Sequence, residues 1–567
     1  MKFSEFATYL EKLEDTSSRT AITDILASLF KDTNPEEIDK ITYLLLGELA
    51  PDYENINFNI ADRTMIRIIA RACDQPLEKV NALFKEKGDL GTIAQELSKG
   101  EDHGLIVSEV YDSLMQIAKV RGEDSQERKI NETADLLSKL DPSSARYAVR
   151  ILLGKLRLGF SEKTVLDALS WMEKGDKSAE AKLNAAYQVL PDVGLLAKEV
   201  KEIGIEAAVK NVSPQTGVPV LSMLAQRLKS PAEMIQKMGK VSVEPKYDGL
   251  RIQIHFERGK FVKAFTRNLK EISWMFPELN GVGNSVKGEQ VILDSEAVGV
   301  DQEREAMVNF QSTMTRRRKH DIKGIAAKVS IKFHIFDILK KDDQNIMPLH
   351  YDERRKILRV TIIDGELFQM TESTETKDPN EISRLYTEYR QRGMEGIMIK
   401  RVNSAYVPGR TGWRWIKMKE AEGAIGKLAD TVDCVVMGYS AGKGKRASFG
   451  VGQILVGIRD NDSYKTVTKV GTGLTDEQFK ELNKRLLKLV VPEKPKEYKV
   501  NPSLKPDYWV TPSLVVEIAA DDITQSPTHT AGLALRFPRL VRFRDDKSRE
   551  EITSLNELKE LYRLQEQ

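Results

Sequence analysis

Cysteine is nearly absent from this chain of 567 residues: there are two, Cys73 and Cys434, far apart. That excludes a disulfide scaffold and any cysteine-built zinc module. Histidine is scarce as well, and the six present are scattered without the spacing of metal ligands. No apolar run reaches the roughly 18 residues that a membrane-crossing helix needs. The first stretch, MKFSEFATYLEKLED, is amphipathic and acidic. It lacks the apolar segment of a signal peptide and the bias of a transit peptide, so the expectation is a soluble cytoplasmic protein. An excess of one charge is missing too: Lys plus Arg total 87 against 85 for Asp plus Glu, a net of +2. A uniformly basic surface is ruled out, but a locally basic groove is not.

What is present is an ordinary globular composition, 41% hydrophobic and 30% charged. At roughly 100–200 residues per domain the length suggests about three to five domains. Residues 1–210 read as successive helices. Thr33-Asn34-Pro35-Glu36 has capping-box spacing with proline in the first turn, and Ile38, Ile41, Leu44 and Leu45 then share one face. Asp141-Pro142 opens another helix, whose apolar positions run from Ala145 through Leu152 to Leu156; Gly159 is placed to end it and Ser161 to cap the next. The prolines and glycine of NVSPQTGVPVLSM, from Asn211, suggest a linker. Strand patterns follow: Arg251 to Phe256 alternates with period two, and Val291–Leu293 and Ile331–Ile338 are apolar runs. Beyond residue 420, short strands with one interposed helix, Asp476 to Leu489, suit a small β-barrel of the OB-fold type. The expected domains are therefore 1–210 (all-α), 211–420 (α+β) and 421–567 (barrel).

The chemistry begins at Glu244-Pro245-Lys246-Tyr247-Asp248-Gly249, a lysine at a strand end in a turn closed by glycine. A nucleophilic lysine must lose its proton, against an ordinary pKa of about 10.4, and neighbouring cations or burial bring this about. Arg251, Arg267, Lys417 and Lys419 are candidate neighbours. Further pieces follow in order: Phe265-Thr266-Arg267-Asn268, Leu293-Asp294-Ser295-Glu296, Phe333-His334-Ile335-Phe336-Asp337, Glu395-Gly396-Ile397-Met398-Ile399-Lys400 and Trp415-Ile416-Lys417-Met418-Lys419. In the last, alternation puts Lys417 and Lys419 on one face. The segment Arg536 to Arg549 carries Arg536, Arg539, Arg542, Arg544, Lys547 and Arg549.

This ordered set resembles the covalent nucleotidyltransferase superfamily, and within it the ATP-dependent DNA ligases of archaeal and eukaryotic replicative type. The likeness covers nearly the whole chain: Gly154-Lys155-Leu156-Arg157-Leu158-Gly159 is similar to a stretch of that family's DNA-binding domain. The resemblance implies an all-α DNA-binding domain, an α+β adenylation domain and a C-terminal OB-fold barrel. It implies Lys246 as the adenylylated nucleophile, Glu244 as reader of the adenine edge, and Arg251 and Arg267 at the ribose and phosphate. Glu296 would contact the ribose and, with Glu395, place Mg2+ or Mn2+. Phe336 would stack on adenine, and Lys417 and Lys419 would touch the α-phosphate. One more phosphate-binding arginine is expected, Arg410 or Arg414, with Arg410 favoured. Part of the Arg536–Arg549 segment would orient pyrophosphate.

The expected activity is ATP-dependent sealing of 3′-hydroxyl/5′-phosphate nicks in duplex DNA, through a lysine–AMP and a DNA–adenylate, in replication, repair and recombination. The expected protein is a monomer, nucleoid-associated if prokaryotic, with a sliding clamp as a further partner on resemblance alone. An RNA ligase or capping guanylyltransferase would share the K-x-D-G core, but not the long helical region. A non-catalytic DNA-binding scaffold would not be expected to keep Lys246, Glu296, Glu395, Lys417 and Lys419. NAD-dependent ligases carry a four-cysteine zinc module that two cysteines cannot build.

Overall fold

The computed structural model describes every residue except 157, 211, 229, 302–305, 308–329, 410–411, 420–430, 443–448 and 565–567. Two compact units emerge, Met1–Lys419 and Glu420–Gln567.

The first unit begins as a run of helices from Phe3–Glu14 to Ile205–Lys210 around one apolar core. Helix Pro142–Leu152 starts where the sequence expects it: the Asp141 carboxylate accepts the backbone N–H groups of Ser143 and Ser144, at 3.0 and 3.1 Å. It ends earlier than expected. Gly154 takes up the left-handed conformation (φ +61°) just past its end, five residues before Gly159, and Lys155 N–H returns to the Arg150 carbonyl at 2.8 Å. Helix Ile38–Leu46 starts later than the Thr33 spacing suggests, because the Thr33 hydroxyl donates back to the Leu29 carbonyl at 2.7 Å and closes the preceding helix. Charges as well as apolar packing join these helices: Arg150, 5% exposed, bridges Glu14 and Asp89 at 2.8 Å each.

The rest of this unit is built on two sheets. Its strands are β1 (Val241–Lys246), β2 (Leu250–Glu257), β3 (Phe261–Thr266), β4 (Gln290–Asp301), β5 (Ala306–Met307), β6 (Ser330–Lys341), β7 (Gln344–Asn345), β8 (Phe368–Met370), β9 (Thr374–Thr376), β10 (Gly396–Arg401) and β11 (Trp415–Lys419). One sheet has the order β11-β10-β1-β9; the other runs β3-β2-β4-β6-β7, with β5 on β4 and β8 on β6. Alternation gives each sheet one apolar face. Val241, Val243, Ile397, Ile399 and Ile416 face one core; Ile252, Ile254, Leu293, Phe333 and Ile335 face another. The opposite faces carry the polar side chains of the motifs.

The second unit is rich in strands: β12 (Val432–Ser440), β13 (Gln453–Asp460), β14 (Ser463–Val470), β15 (Val490–Val491), β16 (Tyr498–Lys499), β17 (Tyr508–Val510), β18 (Val515–Ala519), β19 (Asp522–Gln525), β20 (Leu533–Arg536) and β21 (Arg539–Phe543). The expected helix is present as Asp476–Leu487, capped by Thr475. The ladder follows β15-β17-β12-β13-β14-β16, with β18 joining β12 and β21 joining β18. Among the described residues no strand pairing joins the ends of this path. Two basic stretches of the sequence, Lys443-Gly444-Lys445-Arg446 and Arg316–Lys319, lie outside the described residues. No described helix is long and apolar enough to cross a membrane.

Candidate active site

Strand register assembles the site. In the antiparallel pairs β1–β10 and β10–β11, Lys246 lies opposite Gly396 and Gly396 opposite Lys419. Glu244 faces Met398, which faces Lys417, and Ser242 faces Lys400, which faces Trp415. Directly opposed residues share a face, so three distant motifs present Glu244, Lys246, Lys400, Lys417 and Lys419 on one surface. On the second sheet Arg251 lies opposite Glu296. The register between β4 and β6 slips at Phe336: Asp294 pairs with Asp337 and Ser295 with Ile335. Phe336 is therefore the extra residue of a β-bulge, a device that re-aims a side chain.

Between these surfaces lies a cavity of about 240 Å³. Its lining includes Glu244, Lys246, Arg251, Arg267, Glu296, Phe336 and Lys417, seven of the residues that the sequence singles out. It also includes Leu224, Ala225, Tyr247, Thr371, Met398, Lys400 and Trp415. Glu395 and Lys419 are outside the lining but joined to it: the Lys246 ammonium pairs with one Glu395 oxygen, and Lys419 sits 3.3 Å from the other. Arg414 is outside the lining, and Arg410 lies outside the described residues.

Two glycines of the motifs have a steric cause. A Cβ at Gly249 would lie 2.5 Å from the Ala297 carbonyl oxygen, and one at Gly396 would lie 2.2 Å from the Met418 carbonyl oxygen. Only glycine lets the K-x-D-G turn approach β4, and β10 approach β11, this closely.

The electrostatics are uneven. Burial pushes Glu296 up to about 7, against the pull of Lys246 and Arg251, with Asp294 and Glu395 adding to the rise. Burial also works to raise Glu395, but Lys246 and Lys419 win and hold its carboxyl below the usual range. Arg251 is engaged by Asp294 in a two-pronged bond, 3.0 and 2.6 Å, and by the Met223 carbonyl at 2.8 Å. Asp337, next to Phe336, holds the buried Arg354 at 2.8 and 2.9 Å, which anchors the bulged strand to helix Tyr351–Thr361.

Sequence reasoning quoted Lys400 and Asp294 within motifs but gave them no task, and it missed Thr371 and Tyr351. For Lys400 a signal existed: a lysine at the end of the apolar run Ile397-Met398-Ile399. For Thr371 and Tyr351 there was none, since only the fold brings Thr371 to the cavity and Tyr351 to the Glu244 carboxylate.

In the second unit all six basic residues of the Arg536–Arg549 segment have acidic partners. Arg544 and Lys547 pair with Asp433 at 2.9 and 2.7 Å, Arg542 with Glu517 at 2.6 Å and Arg539 with Asp521 at 2.7 Å. Arg536 lies 4.0 Å from Asp522, and Arg549 pairs with Glu550 at 2.8 Å. Arg544 is 12% exposed whereas Arg542 is 61% exposed.

Comparison with known proteins bears on the whole chain. Three family models match in order: DNA ligase N terminus over residues 2–170, ATP dependent DNA ligase domain over 222–419, and ATP dependent DNA ligase C terminal region over 447–547. A probable DNA ligase of Dictyoglomus thermophilum is 40% identical over 576 residues, spanning 100% of this chain and 98% of its own. A DNA ligase of Aeropyrum pernix is 36% identical, covering 100% of this chain and 98% of its own. A solved structure, Pmar-Lig_PreS3, shares the fold with a TM-score of 0.54 at 18% identity, over 95% of this chain and 99% of that one. With similarity of this extent from end to end, the chain belongs to the family of ATP-dependent DNA ligases.

Proposed function

We propose that the cavity between the two sheets is the ATP site, and that Lys246 is the residue that becomes adenylylated. One observation carries this reading: residues from motifs scattered between Glu244 and Lys417 line a single cavity around the Lys246 side chain. In the first step the neutral amine of Lys246 attacks the α-phosphorus; a P–N bond forms and pyrophosphate leaves. AMP then passes from Lys246 to the 5′-phosphate of a nick. Finally the 3′-hydroxyl attacks that phosphorus, closing the strand and releasing AMP. Each step is a displacement at phosphorus, so one set of cations serves all three. Lys417, Lys419 and Arg267 offset charge on the phosphate oxygens. Phe336 offers a ring for the base, Glu244 an acceptor for its exocyclic amine, and Arg251 and Glu296 frame the ribose. Of the two candidate arginines for a further phosphate contact, Arg410 is preferred over Arg414.

The carboxylates Glu296 and Glu395 suit a hard divalent cation. One is buried and pushed towards neutrality, the other lies close enough to add to that push, and magnesium is commonly held by one or two carboxylates with waters and substrate phosphates. These two carboxylates would hold magnesium, or manganese in its place, and the ion would supply positive charge to offset that on the phosphate oxygens.

The helical region 1–210 and a C-terminal OB-fold barrel, residues 421–567, serve as DNA-holding domains flanking the adenylation domain, 211–420. They grip duplex DNA through its phosphates, which makes binding sequence-independent and salt-sensitive. Nicks of this kind arise in replication, repair and recombination; the enzyme is read as a monomer in the cytoplasm, at the nucleoid if prokaryotic, with a sliding clamp as a further partner. The test is intact-mass measurement after incubation with ATP, GTP or NAD plus magnesium. A gain of one AMP from ATP, mapped to Lys246, is expected; no gain from ATP, or a gain elsewhere, overturns the reading.

A further inference from the structure

Building on the reading of this cavity as the ATP site, we infer that Lys400, together with Tyr351, is a positioning residue for Glu244 and thereby sets the preference for adenine. Lys400 is 1% exposed, and a lysine is rarely buried so deeply without compensation. Its compensation is specific. The ammonium pairs with one Glu244 oxygen at 2.7 Å and donates to the Phe336 carbonyl at 3.1 Å. It also lies 4.5 Å from the ring centroid of Trp415 and 4.7 Å from that of Phe336. The other Glu244 oxygen accepts the Tyr351 hydroxyl.

One buried cation therefore fixes both elements that meet the base: the carboxylate at its edge and the bulged backbone that carries the stacking ring. Glu244 is held at both oxygens, as an acceptor in a fixed orientation. Such an acceptor suits the 6-amino group of adenine and opposes O6 of guanine, which is itself an acceptor. A purine lacking the 6-amino group offers it no donor. Without Lys400, Glu244 keeps its burial but loses the charge partner that holds it in place.

The test measures AMP or analogue loading as kcat/KM for ATP, GTP and purine riboside triphosphate, the analogue without the 6-amino group. The proteins compared are the full chain, Lys400→Met, Lys400→Arg, Tyr351→Phe and Glu244→Gln. The unaltered chain should favour ATP over the analogue by about tenfold or more. Lys400→Met should bring that ratio close to one, chiefly by raising KM for ATP, and Lys400→Arg should recover part of it. Tyr351→Phe removes one hydroxyl and no bulk, so it carries the test if the Lys400 variants do not fold; its ratio should fall in the same direction. Folded Lys400→Met or Tyr351→Phe proteins that lose rate equally on ATP and the analogue overturn the inference, since a purely structural ion pair gives that result. If Glu244→Gln alone abolishes the ratio, Glu244 reads the base and only the positioning inference fails. If Glu244→Gln leaves the ratio unchanged, the assignment of Glu244 fails with it.

Discussion

Lys246 and Glu395, 149 residues apart in sequence, meet as an ion pair at the end of β1, where the Glu395 N–H also donates to the Lys246 carbonyl at 2.9 Å. The proposed nucleophile thus pairs with a carboxylate that Lys419 shares. Glu395 sets the position of the amine and helps gather the cations around it. Glu395→Ala should slow both AMP loading and nick sealing by roughly a hundredfold or more, with the circular dichroism spectrum unchanged. Near-normal activity of the folded variant across a magnesium titration would remove Glu395 from the site.

Lys246→Ala should gain no AMP from ATP and magnesium, because the covalent step needs an amine in this turn. The last displacement uses the 3′-hydroxyl of the DNA instead. A nick already carrying 5′-linked AMP should therefore still be sealed, more slowly, since a cation near the phosphate is gone. The decisive reading is the mass spectrum: an adduct that persists and maps to Lys417 would displace Lys246 from its role.

The basic residues near the C-terminus divide by burial. Arg544 is enclosed by Asp433, Glu517 and Asp546, so Arg544→Ala should lower the unfolding midpoint in urea, with Asp433 left to Lys547 and Glu517 left to Arg542. Arg542 and Arg539 are far more exposed, and the expected role of orienting pyrophosphate is tested on them. Their alanine variants should impair reaction with ATP more than sealing of a pre-adenylated nick, because pyrophosphate leaves only in the first step. Equal losses in the two assays would point to DNA contact or structure instead.

Glu48, in the helical region, is pushed up to about 7 by burial, with Asp52 and Glu162 adding to the rise. The folded chain therefore binds this proton more tightly than the unfolded chain, whose value is near the ordinary 4.5. The resulting stability is complete below about pH 4.5 and is lost as pH rises through about 7. Glu48→Gln should flatten that loss and stabilise the chain at pH 8 by roughly 1 kcal/mol, allowing for residual water contact. Urea unfolding at pH 5 and pH 8 measures it; the same pH slope with and without Glu48 would contradict the assignment.

Much of this protein is written locally. The Asp141 cap, the alternation that pairs Lys417 with Lys419, the strand at Arg251–Phe256 and the lysine before its glycine turn all follow from neighbours within a few residues, where propensity and side-chain period act directly. The motif order carried the family likeness for the same reason, being a one-dimensional property. Tertiary structure decided the rest. Thr33 could cap one helix or close another, and its hydroxyl closes the earlier one; the break after Leu152 falls at Gly154, though Gly159 reads equally well from sequence. The row Lys246, Gly396, Lys419 exists only in the register of three strands. The bulge that re-aims Phe336 arises from a slip between β4 and β6, and the burial that makes Lys400 a partner of Glu244 depends on rings from Phe336, Tyr351 and Trp415 closing over it. Register and burial are set by contacts between segments far apart in the chain, and no local pattern encodes them.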